Sequence, residues 1–434
     1  MKIRMVIGMA AVAAGAVPAW AETYYSQLVN NQGQSSFASP GVAGAWNTEP
    51  DGTGTSKNYT DGSGNVYVIR HVLRTPENWE LMTRDDEMRF EGGRIMFKMK
   101  PAGGKVTLSN MVVPEDETGG FELGMGNCDN TLMGNCQIGA GGRLTISYAP
   151  SDSRSLTLGA TLTGTGTLVC SGGGGQGVLD MSAGTLTGFK GPIVVSSTGA
   201  DPYVNLNGGL GAPDALLADG LVLSNKAHVA FALTNTTYTL PATRGLVVAR
   251  GAVAQLKVPA GLTLTVAGPV SGNGTLVKTG AGKLVFSSVS PDFTGSIVTR
   301  CGATEMADGA LPNATVTSEA SLGADYYVSD GLVLQYDALE PGDDASVWKN
   351  LAATGAAYDL ALPSWVTHEY GAFRSSVIRG LTQSGQINSS KNGLTPGFAT
   401  VDGITSETAA TTVEIVMQRL AWPYTDNYTT CRAS

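Results

Sequence analysis

Apolar side chains recur at every second position in short runs along most of the chain. Examples are Ile95, Phe97 and Met99; Leu144, Ile146 and Tyr148; Leu156 and Leu158; Leu262, Leu264 and Val266; and Leu284 and Phe286. Each run meets Gly, Asn, Asp or Pro within a few residues. An extended backbone turns successive side chains to opposite faces, so these runs predict short strands with one face buried. No segment between residues 22 and 325 holds a helical period over three turns, and the expected fold class is all-β.

Internal repetition narrows the architecture. Leu162-Thr163-Gly164-Thr165-Gly166-Thr167-Leu168-Val169 recurs as Val270-Ser271-Gly272-Asn273-Gly274-Thr275-Leu276-Val277, and Gly188-Phe189-Lys190-Gly191-Pro192-Ile193-Val194 as Asp292-Phe293-Thr294-Gly295-Ser296-Ile297-Val298. A unit this small cannot bury its apolar face alone, whereas stacked copies can, so the repeats predict a solenoid. Gly and Asn at the corners would allow the tight turns that keep strands in register. The expected fold is a right-handed parallel β-helix over 66–325, preceded by a polar, turn-rich segment at 22–65 and followed by a β segment at 326–434.

Composition changes this picture in two ways. Gly accounts for 58 of 434 residues, yet the apolar fraction of 42% is too high for a disordered linker, so the side chains need a regular core. A net charge of −9 argues against a basic face for nucleic acid or anionic lipid. The start of the chain carries an address. Lys2 and Arg4 precede an apolar run from Met5 to Val17, and Ala19-Trp20-Ala21 fits a small-residue cleavage site. The run is shorter than the roughly 20 residues a membrane span requires. It reads as a signal peptide over 1–21, with export to the cell surface or beyond.

The five cysteines are Cys128, Cys136, Cys170, Cys301 and Cys431. Export permits disulfides. Cys128 and Cys136 close a small tandem, Met-Gly-Asn-Cys, and are the candidate pair for a bridged surface loop. No cysteine spacing resembles a zinc site, and no cofactor is expected.

From Arg244 to Leu284 the chain resembles the autotransporter-associated β-strand repeat. The most specific string is Gly-x-Gly-x-Leu-x-Lys-x-Gly-x-Gly-x-Leu, formed by Gly272, Gly274, Leu276, Lys278, Gly280, Gly282 and Leu284. In the copy at 162–179, Cys170 stands where Lys278 stands and Ser171 to Gly175 replace the second half of the string. The stretch from Val68 through Phe90-Glu91-Gly92-Gly93 to Met111 also resembles the leading part of such passengers. The resemblance implies a parallel β-helix, export and surface exposure, but no reaction. Self-exporting members of that family carry a membrane β-barrel of amphipathic strands, and no such run precedes Ser434. The expectation is that another machine exports the chain or that the sequence is a fragment.

Asp330-Gly331-Leu332-Val333-Leu334-Gln335-Tyr336-Asp337-Ala338 and Val347-Trp348-Lys349-Asn350-Leu351 resemble the opening of concanavalin-like, laminin-G-type jelly-roll domains, with Val413 to Met417 as a later core strand. That resemblance implies a partial β-sandwich over 326–434. A competing reading is a short β cap, because Asp219-Gly220-Leu221-Val222-Leu223 carries the same string inside the repeats.

Catalytic signatures are missing. Asp85-Asp86, Glu115-Asp116-Glu117 and Asp343-Asp344 read as solvated turn acids, not as the opposed pair that glycoside hydrolysis needs. There is no Gly-x-Ser-x-Gly elbow, and the glycines at 172–175 are followed by no Lys-Ser/Thr. His228, in an alternating stretch, reads as a solvent-facing strand residue. Trp46, Trp79, Trp348 and Trp365 are read as exposed aromatics, with Trp348 and Trp365 the candidates for stacking on sugars. The function expected is a non-enzymatic, adhesin-like surface scaffold whose partners are extracellular glycans or host and matrix surfaces. The alternative is an extracellular protein that binds or degrades polysaccharide.

Overall fold

The computed structural model describes residues 21–28, 34–36, 44–59, 64–75, 81–97, 104–123, 129–148, 155–173, 177–199, 202–232, 236–259, 261–280, 282–300 and 302–318, and the short strands 347–348, 360–361, 366–369 and 372–375. Every regular element among them is a strand. Between residues 66 and 299 these strands form a parallel β-solenoid of about eight turns.

Register shows how the chain winds. In a sheet of ten strands, Arg143 pairs with Thr167, Leu168 with Ile193, Ile193 with Leu221, Leu221 with Leu246 and Leu246 with Val270, always in parallel. Parallel neighbours need a crossover connection, and here each crossover is the remainder of one turn. Each of these pairs therefore marks one circuit of the chain, and the circuit from Ile193 to Leu221 is the longest of them. Circuits shorten toward the C-terminal end, where Thr275 pairs with Ser296 and Ser296 with Thr315.

The other sides of the solenoid change character along its length. Early turns use long strands of a 17-strand sheet, Leu81–Phe90, Gly104–Val113 and Asn130–Ile138, whose pairing skips a residue at Gly134/Asn135. Bulges of this kind bend a strand. The next turns split it outright, into Leu156–Leu158 with Thr161–Gly164 and Val178–Asp180 with Thr185–Phe189. From Thr237 onward the second half becomes a separate sheet of four strands, Thr237–Leu240, Thr263–Val266, Lys283–Phe286 and Ala303–Met306. Each later turn visits three sides, as in Arg244–Val248, Val253–Lys257 and Thr263–Val266.

The core consists of columns of like residues stacked turn on turn. Leu144, Leu168, Ile193, Leu221, Leu246 and Val270 are in register and at most 1% exposed. Burying one such side chain contributes roughly 1.5–3 kcal/mol. Alternation survives because the residues between them face outward. At the N-terminal end, Thr23–Ser26 pairs in parallel with Val66–Ile69 and antiparallel with Trp46–Asn47, which in turn pairs with Ser56–Lys57. Trp46 is fully buried, edge-on to Tyr67 at 4.8 Å, while Tyr24 stacks on Tyr67 at 5.3 Å. The reading of Trp46 as exposed is thus corrected: the indole plugs the end of the stack.

Two further readings are corrected. Asp86 is not a turn acid. It lies in the strand Leu81–Phe90, fully buried, and accepts hydrogen bonds from Tyr59 Oη and Asn65 N, both at 2.9 Å. His228 does not face solvent. It is fully buried beside the Tyr203 ring, in a stretch where Ala227, Val229, Ala230 and Phe231 are buried as well. Glu115 and Asp116 do occupy an exposed turn, and Asp116 has a left-handed φ of 58°.

Residues 1–20, Trp79 and Met99 lie outside the described residues. So do 330–338 and 413–417, which carry the jelly-roll resemblance. Within 326–434 the described strands are two antiparallel pairs, Val347–Trp348 with Leu360–Ala361 and Val366–Glu369 with Ala372–Ser375.

Candidate functional surface

The repeat motif builds corners. Gly272 ends a strand of the ten-strand sheet and Thr275–Thr279 opens the next side, in the 17-strand sheet. Gly280 and Gly282 then lead into Lys283–Phe286 of the four-strand sheet. The string Gly-x-Gly-x-Leu therefore occurs at two successive corners of one turn, starting at Gly272 and again at Gly280, and Gly164-x-Gly166-x-Leu168 forms a third. In all three the first glycine has a left-handed φ: 101° at Gly164, 99° at Gly272 and 75° at Gly280. In all three a Cβ on either glycine would lie under 3.0 Å from a carbonyl oxygen of the turn below. Those oxygens belong to consecutive residues: Ile138 and Gly139, Val248 and Ala249, Val258 and Pro259. Glycine is required twice over, for conformation and for close backbone approach. Leu168, Leu276 and Leu284 follow as fully buried core residues.

Two residues past that leucine the side chain points inward again. Cys170 meets this with a small apolar thiol, in register with Ile146 and Val195. Lys278 meets it with a long chain, in register with Leu256 and Thr299; the residue is fully buried and its Nζ donates to Gly280 O. A buried ammonium is tolerated only when its protons have acceptors, and the glycine corner supplies one.

A second buried cation had no signal in the sequence, because arginine is usually exposed. Arg244 is fully buried. Its Nε donates to Gly211 O at 3.3 Å, Nη1 to Gly191 O at 2.8 Å and Gly220 O at 2.7 Å, and Nη2 to Gly211 O at 2.8 Å and Phe189 O at 3.1 Å. Five donors thus meet backbone carbonyls, the full capacity of a guanidinium. Burial pulls its pKa down to about 10, which leaves it charged at neutral pH. The cage sits at an irregular point of the winding. The circuit from Ile193 to Leu221 is the longest between Arg143 and Val270 along this sheet, and register shifts between Leu217 and Leu221.

The outward side of the ten-strand sheet carries rows of like residues in register. Thr145, Val169, Val194, Val222 and Val247 form one row in register, half-buried except for Val169, which is buried, and Ser147, Ser171, Ser196 and Ser224 form the next, all half-buried. No charged residue occurs in Thr167–Gly172, Ile193–Ser197 or Leu221–Ser224. The five-residue row spans four interstrand steps, about 19 Å, and the exposed Arg143 lies two residues before Thr145 at its N-terminal end. Nearer the N-terminal end the same sheet carries charge, with Arg94 paired to Glu122 at 2.6 Å.

Several described carboxylates are engaged elsewhere. Glu91 pairs with Arg70, Glu87 with Arg89, Asp214 with Lys190 and Glu305 with Lys283. Asp180 accepts from Asn205 and from Ser182 N. Among the described residues no three His, Cys, Asp or Glu side chains gather in a way that could hold a metal ion.

Cys136 and Cys170 are buried free thiols, and burial pushes each pKa up to about 12. Cys128, the expected partner of Cys136, lies outside the described residues, as do Cys301 and Trp365. Trp348 lies in the short strand Val347–Trp348. Compared with known proteins, the chain matches no family model, no curated protein and no solved structure.

Proposed function

We propose that this chain is an exported, non-enzymatic surface scaffold with an adhesin-like role: a stiff β-solenoid that presents one uncharged sheet face to extracellular glycans or to a host or matrix surface. The observation that carries the reading is the Val and Ser rows on the ten-strand sheet, in register and free of charge over several turns. A face of this kind offers apolar contact and hydroxyl groups at a fixed spacing set by the backbone. The apolar leader at 5–17 supports export, and the engagement of described carboxylates in ion pairs and turns favours display over hydrolysis. The likeness of the Gly272–Leu284 string to autotransporter passengers supports the same reading.

The test is binding of the purified protein to a glycan array and to immobilised matrix proteins, alongside a Val194→Lys, Val222→Lys variant. Retention of a ligand by the native face and its loss in the folded variant supports the proposal. Equal binding by both proteins moves the site elsewhere, and release of reducing sugar from a retained polysaccharide would replace display with catalysis.

A further inference from the structure

We infer that Arg244 couples turns of the solenoid that do not touch through their strands, so that the stack behaves as one cooperative unit across an irregular point of the winding. In a stacked repeat, stability is ordinarily a sum of each unit and its contacts with immediate neighbours, and a weak unit divides the stack into independently opening parts. The turn between Ile193 and Leu221 is such a unit. It is the longest between Arg143 and Val270, it contains the strandless segment 208–216, and its pairing with the next turn slips between Leu217 and Leu221.

The Arg244 side chain bridges this point. It starts from the turn above, contacts Gly211 O and Gly220 O in the irregular turn, and continues to Phe189 O and Gly191 O in the turn below. Opening any one of the three turns would leave a buried charge short of acceptors, and a charge in that state is far more costly than a lost strand contact. Gly220 is suited to this arrangement, since a Cβ there would collide with Arg244 Cγ. The reach of the guanidinium makes the coupling second-neighbour, a range that strand pairing alone does not give.

Hydrogen exchange of the full-length protein in rising denaturant, read by mass spectrometry, tests this. In the native protein, peptides from 185–225 and 253–299 are expected to lose protection at one common midpoint, with correlated exchange under conditions where opening is rate-limiting. In Arg244→Met, which keeps the length and removes every donor, 185–225 is expected to exchange about tenfold or more faster than 253–299, in a separate transition. Arg244→Lys, with the charge but without the fork, should fall between the two. Separate midpoints in the native protein would overturn the inference, and so would a single midpoint in Arg244→Met. If Arg244→Met does not accumulate as folded protein, correlated or uncorrelated exchange of the two segments in the native chain decides the matter alone.

Discussion

Gly164 and Gly272 share one backbone conformation, with φ of 101° and 99°, at two different corners of the solenoid. Gly164 leads from the 17-strand sheet into the ten-strand sheet, and Gly272 leads from the ten-strand sheet into the 17-strand sheet. Both sit over a carbonyl oxygen of the turn below, Ile138 O or Val248 O. The corner is thus a transferable module whose demands are the same on different sides.

Gly164→Ala and Gly272→Ala should therefore behave alike. Each combines a left-handed φ with a backbone collision, and each should lower stability in urea by about 2–4 kcal/mol. Gly251 has a φ of 73° with open space around a Cβ. Gly251→Ala should therefore cost only the conformational part, about 1–2 kcal/mol. Equal losses at all three positions would show that the close approach to the turn below contributes nothing.

Asp86 and Asp85 offer a comparison within one strand. Asp86→Ala removes the acceptor of Tyr59 Oη and Asn65 N from a buried site, and a loss of about 2–4 kcal/mol is expected. Asp85 is exposed, and Asp85→Ala should stay within about 0.5 kcal/mol. Chemical denaturation of both variants measures the difference, and similar midpoints would contradict the buried placement of Asp86.

Tyr148 Oη is buried and lacks a hydrogen-bond partner among the described residues, next to the gap left by Gly172. Burial pushes its pKa up, so the phenol is neutral at neutral pH. Removing an unsatisfied buried hydroxyl costs little, and Tyr148→Phe should leave stability unchanged or raise it by up to about 1–2 kcal/mol. A clear loss in the thermal midpoint would mean that the hydroxyl has a partner.

Cys136 and Cys170 should react slowly with a thiol reagent at neutral pH, because both are buried and protonated. Labelling should proceed through opening of the fold and accelerate with denaturant. The folded pKa of about 12 lies above the unfolded value near 9, so the thiols contribute stability that is complete below pH 9 and lost as pH rises toward 12. Replacing both with Ala should flatten the alkaline limb of the stability profile. Rapid labelling of Cys136 in the native protein would contradict its placement, whereas labelling of Cys136 only after reduction would support the bridge to Cys128.

Much of the fold is legible in the sequence because stacking leaves a simple trace: Leu168, Ile193 and Leu221 recur at the turn length and alternate with outward residues. The glycine string is legible too, since Gly272 needs both a left-handed φ and a close backbone approach and Gly274 needs the close approach. The phase is not. The offset between Leu162 and Val270 reads as a whole number of repeats, but it is four turns and one side, so the copies fall on different corners. Trp46, Asp86, His228 and Arg244 escape a reading of the sequence for one reason. Burial of a polar or amphipathic side chain depends on partners distant in sequence, such as Gly191 O for Arg244, and alternation carries no record of them. The Val and Ser rows likewise emerge only once register places Val169 beside Val194.

The short spacing from Gly272 to Gly280 has a consequence for how such a chain can lengthen. The unit that the gene can copy is one side, whereas the unit that the stack can absorb is a full circuit of three. Copying one side or two would rotate everything downstream onto the wrong face and scatter the uncharged rows, while copying three adds a storey and leaves the façade aligned. Lineages of this chain should therefore differ in length mainly by whole circuits within the regular part, each equal to the stretch from Leu246 to Val270. Odd-sized insertions should be confined to the loops between sides.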